Sequence, residues 1–199
     1  MKKILLLISK GSELLEISPF TDVFGWNNVV GSKDIEVITA SFHSQIHATW
    51  NLTIIPEINL SQQTPDLSKF DAIVIPGGFG YRDFFHDMKL LKFKHIIQHF
   101  MENNKIIVGV CTGVIALGEA GAIKNRKATT YLYDNDRYFR QLFSYGAFPV
   151  RKNIVIDENI ITVSGPKNSL DAAFLLLERL SSKENAQIVK FNMCFWLKI

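Results

Sequence analysis

The stretch from Ile106 to Gly121 constrains this chain more than any other. Ile106-Ile107-Val108-Gly109-Val110 is a short β-branched run and reads as a strand. Cys111 and Thr112 follow at once, and Gly113 to Gly121 reads as a helix of small residues. A strand that turns directly into a helix, with a nucleophile at the bend and glycine two positions to either side (Gly109, Gly113), has the form of a nucleophile elbow. Small flanking residues permit a tight turn that pushes one side chain into the open. The first turn of a helix carries unpaired N–H groups and the positive end of the dipole, so the expectation is a Cys111 thiolate.

The rest of the chain fits a sheet built around such an elbow. Lys2 to Ser9, Ile35 to Ala40, Asp71 to Ile75, Phe148 to Ile156 and Ile160 to Val163 read as strands. Several are aliphatic throughout, as strands covered on both faces should be. Between them lie helical patterns. One follows Ser18, read as an N-cap with Pro19 in the first turn, and continues through Phe20, Val23, Phe24 and Asn27. Another spans Met88 to Met101, with Leu91, Ile96, Ile97, Phe100 and Met101 on the apolar side. A short helix from Asp134 to Phe143, a long one entered at Gly165 to Ser169, and a last one over Glu184 to Lys190 complete the set. Ile46 to Ile58 is less regular and suggests a hairpin or edge excursion. Alternating strands and helices imply one α/β domain with a mostly parallel sheet wrapped on both faces. Ligands of such sheets sit beyond the carboxyl ends of the strands. The loops at Gly11–Glu16, Pro76–Gly80 and Val110–Gly113 are expected to converge on one crevice.

Several function classes drop out. The 199 residues are 47% hydrophobic and 21% charged, an ordinary globular balance. No apolar run is long enough for a membrane span, and Lys10 and Gly11 follow the opening run where a signal peptide would carry its cleavage site. The net charge of +3 comes from scattered lysines, without the continuous basic stripe of a nucleic-acid binder. Two cysteines, Cys111 and Cys194, make no disulfide framework, so a cytoplasmic location is the default. Cys194, among Phe191, Phe195 and Trp196, is expected to serve packing. His95 and His99, four apart, share their helix face with Lys92 and Glu102 and are expected to be a solvated surface rather than metal ligands.

Around Cys111 the residues suggest roles. Gly78 and Thr112 offer backbone N–H groups for an oxyanion hole opposite the sulfur. Glu13 and Glu16 lie near the end of the first strand. Glu16 is the preferred proton carrier, with Leu14 and Leu15 as apolar neighbours and a pKa raised by burial.

These segments resemble the ThiJ/PfpI (DJ-one/PfpI) superfamily of the class I glutamine-amidotransferase-like fold. Phe70 to Gly78 matches its strand and glycine pair. Gly109-Val110-Cys111-Thr112-Gly113, with Leu117 to Gly121 and Arg126 to Thr130, is similar to its elbow and following segment. Ser164-Gly165-Pro166 with Ser169 to Ala173 resembles its late helix entry. The resemblance implies a flavodoxin-like three-layer sandwich, a homodimer and no cofactor. It also implies Cys111 as reactive cysteine, Glu16 as its hydrogen-bonded acid, and Gly78 and Thr112 as oxyanion amides. Gly77 and Tyr131 fall where substrate is contacted, and Tyr81, Arg82, Tyr131 and Tyr133 are expected to roof the crevice. Thr112 stands where peptidase members carry histidine, and Tyr131 replaces another histidine, which argues against proteolysis. The expectation is a cysteine-dependent enzyme acting on an electrophilic carbon, glyoxalase-like or isonitrile-hydratase-like. The alternative is an oxidation sensor or protective protein working through Cys111.

Overall fold

The computed structural model describes residues 1–195. In chain order the main elements are β1 (Lys2–Leu7), α1 (Leu14–Val30), β2 (Ile35–Ser41), β3 (Ile46–His47), β4 (Thr53–Ile54), β5 (Ile58–Asn59), β6 (Ala72–Ile75), α2 (Phe84–Met88), α3 (Leu91–Glu102) and β7 (Ile106–Val110). They continue with α4 (Gly113–Glu119), β8 (Lys127–Ala128), α5 (Arg137–Ser144), β9 (Phe148–Pro149), β10 (Ile154–Asp157), β11 (Ile160–Val163), α6 (Ser169–Leu180) and α7 (Lys183–Asn192). Seven strands form the central sheet in the order β10-β11-β7-β6-β1-β2-β5. All neighbours pair parallel except the antiparallel β10–β11 hairpin.

Period-two alternation explains the uninterrupted aliphatic strands. Leu5, Leu7, Ile73, Ile75 and Ile107 enter one core, against Phe93, Ile96, Ile97 and Phe100 of α3 and Val114 and Leu117 of α4. Ile4, Leu6, Val74, Val108 and Val110 enter the other, against Phe20, Val23 and Phe24 of α1 and Phe174 and Leu177 of α6. With helices on both faces there is no solvent side on which polar residues could alternate. The result is the expected three-layer sandwich.

Some local expectations need correcting. Helix α1 does not begin at Ser18; Glu13 is its N-cap, accepting the Leu15 N–H, and Pro19 lies inside the helix. As the sixth residue of the helix, Pro19 leaves the Leu15 carbonyl without its intrahelical donor and crowds it. The helix expected over Met88–Met101 is α3 and starts at Leu91, Met88 being the last residue of α2; Leu91 is exposed while Phe93 takes the core position. The segment Phe148–Ile156 is not one strand: β9 pairs with β8 in a separate ribbon, and only β10 joins the main sheet. Ile46 to Ile58 is the hairpin and edge excursion expected: β3 pairs with β4, and β5 then caps the sheet edge beside β2. Cys194 is exposed rather than packed; its neighbour Phe195 meets Phe174 edge-on, and Trp196 lies outside the described residues. His95 is exposed and His99 half-buried on α3.

Candidate active site

The parallel order places the ends of β1, β6 and β7 side by side, and the loops that leave them are laced together. Glu13 N–H donates to the Gly77 carbonyl (2.9 Å), Phe79 N–H donates to the Gly11 carbonyl (3.2 Å), and Ser12 and Gly78 form an isolated antiparallel bridge. This lacing brings the first turn of α1 against the elbow after β7, so the three loops meet as expected.

Cys111 occupies the left-handed region at φ 53°. A non-glycine residue there costs about 1–2 kcal/mol, which the surroundings must offset. Two hydrogen bonds hold it: its N–H donates to the Val163 carbonyl (2.7 Å), and the Thr130 hydroxyl donates to its carbonyl (2.7 Å). Gly113 admits the close approach that follows, because a Cβ there would collide with the Ile75 carbonyl oxygen at the end of β6.

Glu16 is 0% exposed. The Gly77 N–H donates to its Oε2 (2.6 Å), while Oε1 has no oxygen or nitrogen partner. The carboxyl group is also hydrogen-bonded to the Cys111 thiol. Burial pushes its pKa from the ordinary 4.5 up to about 8, against the lowering effect of the Gly77 and Cys111 hydrogen bonds, and the nearby Glu13 charge adds to the rise. Glu16 therefore carries its proton at neutral pH. The reason given for it by its neighbours does not hold, since Leu15 is exposed; the apolar enclosure comes from tertiary packing instead.

The sulfur departs from expectation in the same way. Cys111 is 8% exposed, and burial pushes its thiol well above the ordinary value, followed by repulsion from an ionised Glu16. Hydrogen bonding by Thr112, its backbone N–H first, pulls the other way. The α4 dipole belongs to a helix of only 7 residues and does not overcome desolvation. At rest the site holds a protonated acid against a protonated thiol. The two titrate as a pair, because the repulsive part of the thiol's shift exists only once Glu16 has ionised.

Thr112 Oγ1 accepts the Gly78 N–H (2.9 Å) and donates to the Gly78 carbonyl (2.8 Å). The two amides assigned to an oxyanion hole thus have resting partners: the Thr112 hydroxyl for Gly78, the sulfur for Thr112. Gly77, expected to meet substrate, directs its N–H to Glu16; a Cβ there would stand 2.7 Å from Glu16 Oε2 and 2.8 Å from the Thr112 nitrogen. It sets the position of the acid.

These groups form the floor of a cavity of about 770 Å³. Tyr131 is half-buried in its wall, and burial together with a charged Cys111 raises its phenol pKa. Tyr81 and Tyr133 line the mouth, whereas Arg82 stacks over the Tyr81 ring (5.4 Å) without lining the cavity. Glu13 lines it too, and is already held by the Thr49 hydroxyl (3.4 Å) and the Trp50 indole N–H (3.3 Å). Sequence reasoning missed Phe79, Phe85, Asp134, Arg137 and Tyr138. They come from α2, α5 and the turns before them, which no local pattern ties to the elbow. Among the described residues no histidine lines the cavity.

The model of the DJ-1/PfpI family matches residues 2–179. The chain belongs to the DJ-1/PfpI family. Among curated relatives, the isonitrile hydratase of Pseudomonas putida is 30% identical over 155 residues, which is 75% of this chain and 65% of that protein. The DJ-1 homolog A of Arabidopsis thaliana is 26% identical over 189 residues, and the chain spans only 45% of its length. The crystal structure of Drosophila melanogaster DJ-1beta superposes with a TM-score of 0.81 at 23% identity, covering 97% of each chain. That likeness shows a DJ-1/PfpI fold over the whole sandwich. Among the described residues no helix is long and apolar enough to cross a membrane.

Proposed function

We propose that this DJ-1/PfpI protein is a cysteine-dependent enzyme that adds its Cys111 thiol to the electrophilic carbon of a small neutral molecule, with Glu16 as the proton carrier. The observation that carries the reading is a fully buried carboxyl group, held by the Gly77 N–H, beside a buried thiol at an elbow of φ 53°, with burial raising the pKa of both. Such an acid arrives at neutral pH with a proton to give, in a water-poor site where proton transfer is effective.

An isonitrile carbon suits this pair. Glu16 delivers its proton to the carbon as the Cys111 sulfur bonds to it, and the thiol proton replaces the one lost from Glu16. The product of this step is a thioimidate, R–N=CH–S–Cys111. Water then adds across the C=N bond, its hydrogen going to nitrogen and its hydroxyl to carbon. The C–S bond breaks, the hydroxyl proton returns to sulfur, and an N-substituted formamide leaves. The hydroxyl-bearing intermediate is held by the Gly78 N–H once Thr112 Oγ1 turns aside, and by the Thr112 N–H as the sulfur's charge moves onto substrate. The similarity to the Pseudomonas putida isonitrile hydratase supports this choice. A glyoxal-type aldehyde would use the same thiol and acid. Proteolysis is disfavoured by the lack of a histidine among the described lining residues. The family relationship supports a cytoplasmic homodimer that works without a cofactor.

Sensing of oxidants through Cys111 is the competing reading, and the raised thiol pKa weighs against it, because peroxide reacts with the thiolate. Product analysis by NMR over isonitriles and glyoxals tests the proposal. Turnover is expected, abolished in Cys111→Ala and lowered at least tenfold in Glu16→Gln. Full activity in both variants, or stoichiometric oxidation of Cys111 by mild peroxide with no turnover of any substrate, would overturn it.

A further inference from the structure

The cavity above the Cys111–Glu16 pair is much larger than the pair requires. A molecule of about five heavy atoms occupies on the order of 100 Å³, whereas the cavity measures about 770 Å³. Its excess is walled by aromatic rings: Phe79, Tyr81, Phe85, Tyr131, Tyr133 and Tyr138. Tyr131 and Tyr138 stand with ring centroids 6.4 Å apart at 61°, and Phe85 stacks on Tyr138 at 5.9 Å and 25°. Tyr131, Tyr138 and Cys111 line this one cavity, and its aromatic wall continues to Phe79 and Tyr81, whose rings meet at 5.6 Å.

The charged groups of the lining are matched within the protein. Asp134 and Arg137, both exposed, approach to 3.9 Å across the turn that enters α5, and the Arg137 guanidinium lies over the Tyr138 ring (5.2 Å). The Glu13 carboxylate accepts from the Leu15 N–H, the Thr49 hydroxyl and the Trp50 indole. Glu16 carries its proton at neutral pH. At the inner end of the cavity, where Glu16 is protonated and Glu13 already accepts three donors, a charged substrate would find no free counter-ion and would lose its hydration, an unfavourable exchange. A neutral ring would instead exchange water for offset-stacked and edge-on aromatic contacts.

We infer that the substrate is a neutral electrophile bearing an aromatic ring, seated among Tyr131, Tyr138 and Phe85 with its reacting carbon at Cys111. The placement of that carbon rests on the proposed function; the ring site rests on the cavity wall. In benzyl isonitrile one methylene joins such a ring to the nitrogen of the reacting group.

The test separates the two. Binding of N-benzylformamide and of N-methylformamide to the full chain carrying Cys111→Ser is measured by calorimetry, with no reaction involved. The benzyl compound is expected to bind at least tenfold more tightly. Tyr138→Leu in the same background is expected to cut that ratio at least threefold, while His95→Ala, on the exposed face of α3, leaves it unchanged. Equal affinity for the two formamides, or a ratio indifferent to Tyr138→Leu in a variant of native melting temperature, would overturn the inference. Turnover of benzyl and methyl isonitrile by the native chain is read separately. Ring-selective binding without formamide production would support the ring site while refuting the catalytic reading.

Discussion

Replacing Glu16 with glutamine tests the protonation state on which the chemistry depends, and it does so without a substrate. The carboxyl is fully buried and its pKa is raised to about 8 from 4.5. The folded protein therefore holds this proton where the unfolded chain has released it, and stability falls as pH rises through the window between those two values. Integrating the linkage for a single group with those two pKa values gives a loss of about 1 kcal/mol by pH 5, about 3 by pH 7 and about 5 by pH 9, each relative to strongly acid conditions. Glutamine keeps an oxygen for the Gly77 N–H and does not titrate, so Glu16→Gln removes this pH-dependent loss. The difference in unfolding free energy, variant minus native, should grow by about 2 kcal/mol between pH 5 and pH 7, and by about 4 kcal/mol between pH 5 and pH 9. For a chain of this size that corresponds to roughly 10 °C in melting temperature by pH 9. Urea unfolding of both proteins across this range measures it, with the titrating groups remote from Glu16 cancelling in the difference. Parallel stability curves would refute the reasoning, because they would mean that Glu16 ionises in the folded protein as it does in the unfolded chain.

Other expectations follow from the same geometry. Alkylation of native Cys111 by iodoacetamide should be slow at pH 7 and rise only above the range of an ordinary thiol; in Glu16→Gln the rise should begin at lower pH, because the repulsion from an ionised carboxylate is gone. Peptide mass mapping distinguishes this from alkylation of the exposed Cys194. Gly113→Ala should destabilise the fold by about 2–4 kcal/mol in denaturant titration and abolish turnover, since its Cβ meets the Ile75 carbonyl and displaces the elbow. Thr112→Val leaves the buried Gly78 N–H and carbonyl without their partner and should cost about 1–3 kcal/mol, with Thr112→Ser restoring most of it.

What could be read from the chain and what could not divide along a physical line. The central strands were legible because a strand buried on both faces must be aliphatic along its length, as Ile4 to Leu7 and Ala72 to Ile75 are. The elbow was legible because a left-handed nucleophile between strand and helix needs its small flanking residues close in sequence. Helix α1 was misjudged at its start, since Pro19 looks like a beginning while the cap that matters, Glu13, is held in place by a bond to Gly77 from a distant loop.

The residue types of the candidate site were thus written locally: a cysteine at the bend, a threonine after it, glycines before it, and a carboxylate within reach of the first strand's end. Their protonation was decided only by the folded molecule. Whether a thiol at a helix start ionises depends on a contest between the dipole, which sequence reveals, and desolvation, which depends on everything packed around the sulfur. Here desolvation wins. The aromatic wall was equally out of reach, because Phe85 and Tyr138 sit on helices α2 and α5, far apart in the chain, and stack only once the sheet has set both helices beside the elbow.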